Sequence, residues 1–290
     1  VQVLSQPGDK ILIHSPFYLG FREDIEGLGR TSVYSPLKKD SSGIWRMDYE
    51  DMDKKLKVNH IHLAIFCSPH NPTGRVWERW ELEKAMEVYE ANDCYVISDE
   101  IWADLIFSGH CHIPTQMIND WAKEHVVAAY APSKTFNLAG LIGSYHIIYS
   151  SYLRDRICSY AHATHYNEMN VLSMHALIGA YQPEGYEWLE ELRTVLEENA
   201  RYAVNFIREH FDGVEVAAPQ GTYMIFLDCT RYCEKSGKTI DDVLKEGWKV
   251  GIGWQDGRAF GGPCHIRMNL ASPRARIEEA FERLGEYVLV

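Results

Sequence analysis

The sequence predicts an α/β protein built around a mostly parallel sheet. Short apolar segments, such as 62–67 and Val126–Tyr130, alternate with longer segments of helical periodicity, such as 77–92. Strands that are apolar on both sides are typical of a parallel sheet that helices cover on both faces. The pattern divides the 290 residues into a large domain over 1–180 and a smaller α+β domain over 181–290.

The first half of the chain carries the regular alternation of strands and helices. A Pro7-Gly8-Asp9 turn opens the first strand, and residues 49–57 run from acidic to basic, which complements a helix dipole. The predicted strands are residues 10–14, 31–36, 44–47, 62–67, 94–98, 126–130 and 145–149. The predicted helices are residues 17–28, 49–57 and 77–92, followed by a helical stretch over 151–181.

The second half alternates less regularly, which favours an α+β unit. We expect Pro183-Glu184-Gly185 to interrupt the helical pattern ahead of a charged helix over 186–210. The remaining predicted strands are residues 214–217, 223–228, 250–252 and 265–270. The remaining predicted helices are residues 240–246 and 274–287.

Composition argues against several kinds of partner. The formal charge of −12 disfavours non-specific binding to nucleic acid or anionic membranes, which require a basic surface. No apolar run approaches the roughly 20 residues that span a bilayer. Seven cysteines without a CxxC pair favour reduced thiols and a cytoplasmic protein. The motif His110-Cys111-His112 has no second cluster of ligands, so we predict no metal site.

Polar residues follow three of the predicted strands. Asn71 opens Asn71-Pro72-Thr73-Gly74, Asp99 follows residues 94–98, and Lys134 lies in a loop of small residues after Val126–Tyr130. Ligand-binding groups on a parallel sheet lie in the loops at the carboxyl ends of its strands. Each residue alone has a common alternative, namely a turn-forming asparagine, a helix N-cap aspartate and a surface lysine.

Taken together, these three residues match the requirements of pyridoxal phosphate (PLP). Asn71 can donate to the phenolate oxygen of the cofactor, and Asp99 can pair with its protonated pyridine nitrogen. Lys134 can form the Schiff base with its aldehyde. An ion pair at the pyridine nitrogen makes the ring an electron sink, which is the central demand of PLP chemistry. We therefore predict PLP as the cofactor and Lys134 as the catalytic residue.

Two more residues fit a site for an amino acid. Tyr18 follows the first strand in Ser15-Pro16-Phe17-Tyr18, where its ring can stack on the pyridine or pack into the core. Arg267 interrupts an apolar strand between Ile266 and Met268. Its guanidinium can bind a substrate carboxylate through two hydrogen bonds, or it can form an internal salt bridge.

These elements resemble those of fold-type I PLP-dependent enzymes, the aspartate aminotransferase superfamily. The order and rough spacing agree over essentially the whole chain for Asn71-Pro72-Thr73-Gly74, Ser98-Asp99-Glu100-Ile101, Ser133-Lys134-Thr135-Phe136 and Ile266-Arg267-Met268-Asn269. The resemblance implies a PLP-dependent transferase-like fold, an amino-acid substrate and a homodimer.

Within that superfamily the chain is most similar to the cystathionine β-lyase-like C–S lyase branch, through residues 133–140. Many aminotransferases have a phosphate-binding arginine eight residues after the lysine, where this chain has Ile142. They also often have a tyrosine three residues after the aspartate, where this chain has Trp102, whose indole donates a hydrogen bond but does not act as a phenol. This similarity implies β-elimination from a sulfur amino acid to give pyruvate, ammonia and a thiol, with Trp102 and Ser133 at the cofactor.

Two alternatives remain open: an aminotransferase, and a non-catalytic regulatory protein with this fold. Relatives begin well before the position of Val1, so the resemblance implies that an N-terminal part is missing. That part holds an arm, a helix start that binds the cofactor phosphate, and a tyrosine donated across the dimer. Ala131 stands where some members use a serine on the phosphate.

Overall fold

The computed structural model describes residues 1–166 and 168–290. The strands in these ranges are β1 (Lys10–Ser15), β2 (Thr31–Pro36), β3 (Lys38–Lys39), β4 (Trp45–Arg46), β5 (Leu63–Cys67), β6 (Tyr95–Asp99), β7 (Val126–Tyr130), β8 (Tyr145–Ile147), β9 (Glu215–Val216), β10 (Met224–Asp228), β11 (Gln255–Asp256) and β12 (His265–Asn269). The helices are α1 (Leu19–Gly27), α2 (Tyr49–Asn59), α3 (Arg79–Ala91), α4 (Asp120–His125), α5 (Pro132–Thr135), α6 (Ser151–Thr164), α7 (Val171–Ala180), α8 (Pro183–His210), α9 (Thr230–Ser236), α10 (Ile240–Lys249) and α11 (Arg274–Tyr287).

A six-stranded sheet with the order β2-β1-β5-β6-β7-β8 forms the first half of the fold. Its neighbouring strands are parallel except for β8, which runs antiparallel to β7. The prediction of an α/β fold with a mostly parallel sheet is therefore confirmed. The register pairs Cys67 with Asp99 and Asp99 with Ala129, so β5, β6 and β7 end at the same edge of the sheet.

Apolar side chains cover both faces of this sheet. Leu12 and Phe66 pack on one face with residues of α2 and α3, and Ile13 and Ile65 pack on the other face with Ile25 of α1. All five residues of β5 are buried. A strand buried on both faces has no polar side to alternate with, and this explains why its sequence is apolar throughout.

A four-stranded antiparallel sheet with the order β11-β12-β10-β9 forms in the second half. It shares one apolar core with α8, α11 and residues Trp102, Leu105 and Phe107 of the first half. The amide of Gln220 also donates to the carbonyl of Gly74 at 2.8 Å. These contacts hold the strand that carries Arg267 against the edge where β5 and β6 end. The domain boundary at residues 180 and 181 stays a prediction.

Several local predictions were wrong. Residues 183–185 begin α8, with Pro183 in the first turn, where the missing proline amide breaks no hydrogen bond. Residues 250–252 follow the end of α10, and the edge strand lies further on, at β11. The short helices α4, α5 and α9 were not predicted.

The helical stretch predicted over 151–181 contains α6 and α7, while its residue 167 lies outside the described residues. Among the helices that the structure describes, none has both the length and the apolar character required to cross a membrane.

Candidate active site

The predicted site residues Asn71, Asp99 and Lys134 lie in the connections that follow β5, β6 and β7. Asp99 is the last residue of β6, and the backbone ladder continues beyond it, since the amide of Ser68 donates to the carbonyl of Asp99 at 2.9 Å. The amide of Glu100 donates in the same way to the carbonyl of Ala129 at 2.9 Å. The three connections are therefore fixed beside one another at one edge of the sheet.

Asp99 carries a partly buried carboxylate with a perturbed pKa. Its Oδ1 atom accepts a hydrogen bond of 3.1 Å from the amide of Ile101. Burial raises the pKa of this carboxyl to about 6, against the lowering effects of that hydrogen bond and of the charge on Lys134. The pKa of the neighbouring Cys67 thiol is also raised, by burial and by the charge on Asp99. A desolvated carboxylate gains from a cationic partner, which the protonated ring nitrogen of PLP would supply.

Lys134 lies in α5, a single helical turn that starts with Pro132. The next residue, Thr135, is buried and donates from its hydroxyl to Oδ2 of Asp104 at 2.8 Å. These neighbours fix the backbone on both sides of Lys134. Its Nζ atom lies 6.0 Å from the ring centroid of Trp102, so the amine faces an aromatic surface.

A cavity of about 320 Å³ opens beside Lys134. Ser133 and Ser144 line it, together with the apolar side chains of Ala131 and Ile142. The two serine hydroxyls can donate hydrogen bonds to phosphate oxygens. The serine hydroxyls therefore fit the phosphate end of PLP, whereas Ala131 and Ile142 contribute no donor and Glu168, which also lines the cavity, carries a carboxylate.

Arg267 is a buried cation whose partners are neutral. Its side chain is 8% exposed and lies over the ring of Phe260, 4.0 Å from the centroid. Its Nη1 donates to Oδ1 of Asn71 at 3.0 Å, and its Nε donates to Oε1 of Gln255 at 2.9 Å. The same Oε1 accepts a second hydrogen bond from Nη2. Burial lowers the pKa of this guanidinium to about 10, an effect that Tyr18 and Tyr223 oppose.

These contacts bear on the two roles that the sequence left open for Arg267. Among the residues described, its hydrogen-bond partners are amide oxygens rather than the carboxylate that an internal salt bridge requires. A buried charge that is hydrogen-bonded only to neutral groups is stabilised when an anion binds to it. The geometry therefore favours the binding of an external carboxylate.

The contact with Arg267 also fixes the orientation of the Asn71 amide. A guanidinium only donates hydrogen bonds, so the Asn71 atom that faces it must be the oxygen. The Nδ2 group then points to the other side, where it can donate to the phenolate oxygen of PLP. This is the role predicted for Asn71.

Gly74 shapes the turn that holds Asn71. It adopts a φ of +69°, and a Cβ at this position would lie 2.5 Å from Cβ of Pro219. The amide of Gly74 also donates to the carbonyl of His70 at 2.8 Å. Glycine is required here because any other residue would be strained at this φ and its Cβ would clash with Pro219.

Glu100 organises a network that sequence reasoning missed. Its buried carboxylate accepts hydrogen bonds from Tyr130 Oη at 2.6 Å, Ser98 Oγ at 2.9 Å and the amide of Thr115 at 3.0 Å, and it also pairs with Nε2 of His112 at 2.8 Å. Burial alone would raise the pKa of Glu100, but these partners hold it below its usual value. The network joins the ends of β6 and β7 and so fixes the backbone next to Asp99.

His112 of the motif His110-Cys111-His112 is thus engaged with a carboxylate. Within the residues that the structure describes, no group of three or more histidine, cysteine, aspartate and glutamate side chains is placed to hold a metal ion.

The other predicted cofactor contacts lie around this edge. Trp102 is 2% exposed and packs edge-on against Tyr223, with the ring centroids 4.6 Å apart. Tyr18 is the N-cap residue of α1, remains exposed, and packs against Phe21 with a centroid distance of 5.5 Å. Its exposure argues against the alternative role in the core. The functional roles of Tyr18, Trp102 and Ser133 stay predictions.

Comparison with known proteins identifies the family. Residues 1–284 match the family model described as aminotransferase class I and II, and the chain belongs to this family. Cystathionine beta-lyase PatB of Bacillus subtilis (strain 168) is 32% identical over 286 residues, which cover 98% of this chain and 73% of PatB. Protein MalY of Escherichia coli (strain K12) is 33% identical over 280 residues, which cover 95% of this chain and 69% of MalY.

Solved structures agree with this assignment. The PLP-bound C–S lyase from Staphylococcus hominis has a TM-score of 0.89 and 30% identity, over 97% of this chain and 72% of that chain. Cystalysin from Treponema denticola, whose structure contains PLP, has a TM-score of 0.90 and 30% identity, over 98% of this chain and 72% of that chain. The predicted membership of the fold-type I superfamily and the prediction of PLP as cofactor are confirmed.

Proposed function

We propose that this member of the aminotransferase class I and II family is a PLP-dependent carbon–sulfur lyase. It would cleave the Cβ–S bond of an amino acid and release a thiol, pyruvate and ammonia. The buried guanidinium of Arg267, with neutral partners beside Asn71, carries the proposal that the substrate has a carboxylate. The relatives named as cystathionine β-lyase and C–S lyase, together with Trp102 and Ile142, support elimination over transfer.

The residues of the chain divide the chemical work by position. Arg267 would bind the substrate carboxylate, and Asp99 would keep a proton on the pyridine nitrogen through an ion pair. Asn71 Nδ2 would donate to the phenolate oxygen, and the hydroxyl of Ser133 would contact the phosphate. When bound, PLP supplies an aldehyde for the substrate amine and a conjugated ring that accepts the electron pair from Cα.

Lys134 is the proposed base. Its neutral amine would take the proton from Cα, the Cα–Cβ double bond would form, and the sulfur would leave with the electrons of the Cβ–S bond. Water then replaces nitrogen at Cα and gives pyruvate and ammonia.

The direct test is an assay of PLP-loaded protein with cystathionine, without any keto acid. We expect pyruvate and a free thiol in equal amounts, and Lys134→Ala should abolish both. Lys57→Ala, the same change at an exposed lysine of α2 outside the cavity, should retain turnover and serves as the control. PLP-loaded protein that releases no pyruvate from any thiol-substituted amino acid would refute the lyase.

An aminotransferase is the second candidate, because the same residues start both reactions. Aspartate aminotransferase of Bacillus sp. (strain YM-2) is 26% identical over 292 residues, which cover 99% of this chain and 72% of that protein. This function predicts accumulation of pyridoxamine phosphate and a requirement for an acceptor keto acid. A regulatory protein with this fold, the third candidate, predicts no absorbance band near the visible edge, or a band that Lys134→Ala leaves unchanged.

A homodimer is also proposed. Helix α7 exposes Val171, Leu172 and Ile178, each more than half accessible, and apolar side chains grouped in this way are typical of surfaces that a partner covers. Light scattering coupled to size exclusion tests this directly. A cytoplasmic location stays a prediction from the reduced cysteines.

A further inference from the structure

Three cysteines meet at one end of the four-stranded sheet. Cys229 precedes α9, Cys233 lies one helical turn later, and Cys264 directly precedes β12. The Sγ atoms of Cys233 and Cys264 are 3.7 Å apart, although 31 residues separate them in the chain. The proposed lyase reaction uses none of these thiols.

The backbone already holds the two segments together at this point. The amide of Cys229 donates to the carbonyl of Cys264 at 2.9 Å, and the amide of Cys233 donates to the carbonyl of Cys229 at 2.9 Å. A disulfide requires an Sγ–Sγ distance of about 2.0 Å, so the two sulfur atoms must approach by roughly 1.7 Å. Rotation about the side-chain torsions changes the Sγ–Sγ distance without moving the backbone.

Accessibility separates this pair from the third thiol. Cys233 and Cys264 are partly exposed, whereas Cys229 is fully buried. A small oxidant in solution therefore reaches the pair before it reaches Cys229. The remaining exposed thiols, Cys111 and Cys158, lie in the loop before α4 and in α6.

We propose that Cys233 and Cys264 form a reversible intrachain disulfide when the protein meets a two-electron oxidant of the peroxide class. One sulfur attacks a peroxide oxygen and becomes a sulfenic acid, while the first equivalent of water leaves. The second thiol attacks that sulfur, forms the S–S bond and releases the second water. The two sulfurs lose two electrons and two protons in total, and hydrogen peroxide takes them up. A thiol reductant reverses the bond by exchange.

Burial, together with the contact to Cys264, raises the pKa of the Cys233 thiol. Both thiols are partly exposed, so either sulfur can meet the peroxide first and the other then closes the bridge.

The bridge would close a loop that lies beside the carboxylate-binding residue. This loop contains α10, β11 and the turn Gly257–Phe260, whose last residue packs under Arg267. Cys264 itself precedes Arg267 by three residues. A cross-link over a loop of this length restricts the unfolded chain, so we expect the unfolding temperature to rise by on the order of 5 °C.

Peptide mapping of the oxidised holoenzyme tests the proposal without any mutation. Trypsin cleaves after Arg231 and therefore puts Cys229 and Cys233 on different peptides, 209–231 and 232–235. Cys264 lies on 259–267. After hydrogen peroxide treatment and alkylation, we expect 232–235 joined to 259–267, with two hydrogens fewer than their sum and with reversal by dithiothreitol. If the joined pair is absent, or if 259–267 is joined to 209–231 instead, the proposal is wrong.

Variants add an independent measurement. Cys233→Ser and Cys264→Ser should each lose the peroxide-dependent rise in unfolding temperature, while Cys158→Ser, an exposed control on α6, should keep it. A rise that persists in both Cys233→Ser and Cys264→Ser would contradict the assignment. If either variant fails to fold, the peptide map of the unmodified protein decides the question alone.

Discussion

Gln255→Glu gives a sharp test of how the site binds a carboxylate. In the structure Oε1 of Gln255 accepts two hydrogen bonds from Arg267, one of them at 2.9 Å from Nε. Glutamate has nearly the same shape, so it preserves both contacts while it adds a negative charge. The guanidinium then has an internal anion, and the substrate carboxylate has to bind next to it.

The size of the effect follows from the geometry. A substrate carboxylate on the free edge of the Arg267 guanidinium would lie about 6 Å from the new carboxylate, which at an effective dielectric constant of about 20 gives a repulsion of roughly 3 kcal/mol. That energy corresponds to an increase in KM of about 100-fold. Since the repulsion is the same in the bound substrate and in the transition state, kcat should change little.

The measurement is steady-state release of pyruvate, with Gln255→Ala as the matched control. Alanine removes the two hydrogen bonds but adds no charge, so we expect KM to rise only a few-fold, by about 1 kcal/mol. An absorbance titration of PLP-loaded protein with substrate should give the same order of affinities. If Gln255→Glu binds as tightly as the unmodified protein, or if both variants lose affinity equally, the proposed role of the uncompensated Arg267 charge is wrong.

Three further changes test other parts of the site. Lys134→Ala should lower pyruvate release by at least about 10³-fold, since it removes the proposed base, while PLP remains bound non-covalently; an active variant would exclude Lys134 as the base. Asp99→Asn should stabilise the cofactor-free protein at pH 7 by up to about 3 kcal/mol and leave its stability unchanged near pH 4. The reason is that burial raises the pKa of Asp99 to about 6 in the folded protein, so the unmodified protein loses unfolding free energy as the pH rises from about 4 to 6, and asparagine does not ionise. Equal denaturation midpoints at pH 7 would contradict this. Gly74→Ala should cost about 2–4 kcal/mol of unfolding free energy through backbone strain and contact with Pro219. Gly109→Ala, with a φ of +82° and nothing within 4 Å of the added Cβ, should cost only about 1 kcal/mol.

The sequence predicted those elements whose stability is local or whose burial is complete. The strand β7 and the helix α11 have the predicted bounds, because an unbroken apolar run and a regular amphipathic pattern leave little choice. The four-residue helix α5 was missed, since a single turn after Pro132 has no periodicity to detect. The position of β11 was also wrong, because two residues become a strand only by pairing with β12.

The error at β11 explains why Gln255 was missed as a partner of Arg267. The two residues are directly paired across neighbouring antiparallel strands, and a strand placed at 250–252 cannot produce that pairing. Glu100 was missed for a related reason. Three of its partners lie 12, 15 and 30 residues further along the chain, so only the folded structure brings them to it.

The electrostatics of the site connect these residues to the proposed reaction. Asp99 carries a carboxyl whose pKa is raised by burial, and Arg267 carries a guanidinium whose pKa is lowered by burial. In each case the folded protein holds a charge that burial disfavours. This charge lowers the unfolding free energy of the protein when neither cofactor nor substrate is bound. A pyridinium at Asp99 and a carboxylate at Arg267 would each compensate one of these charges. In the proposed reaction, cofactor and amino acid would therefore bind where the fold has left charge unbalanced, and this would link the affinity for both to the same buried residues that destabilise the free protein.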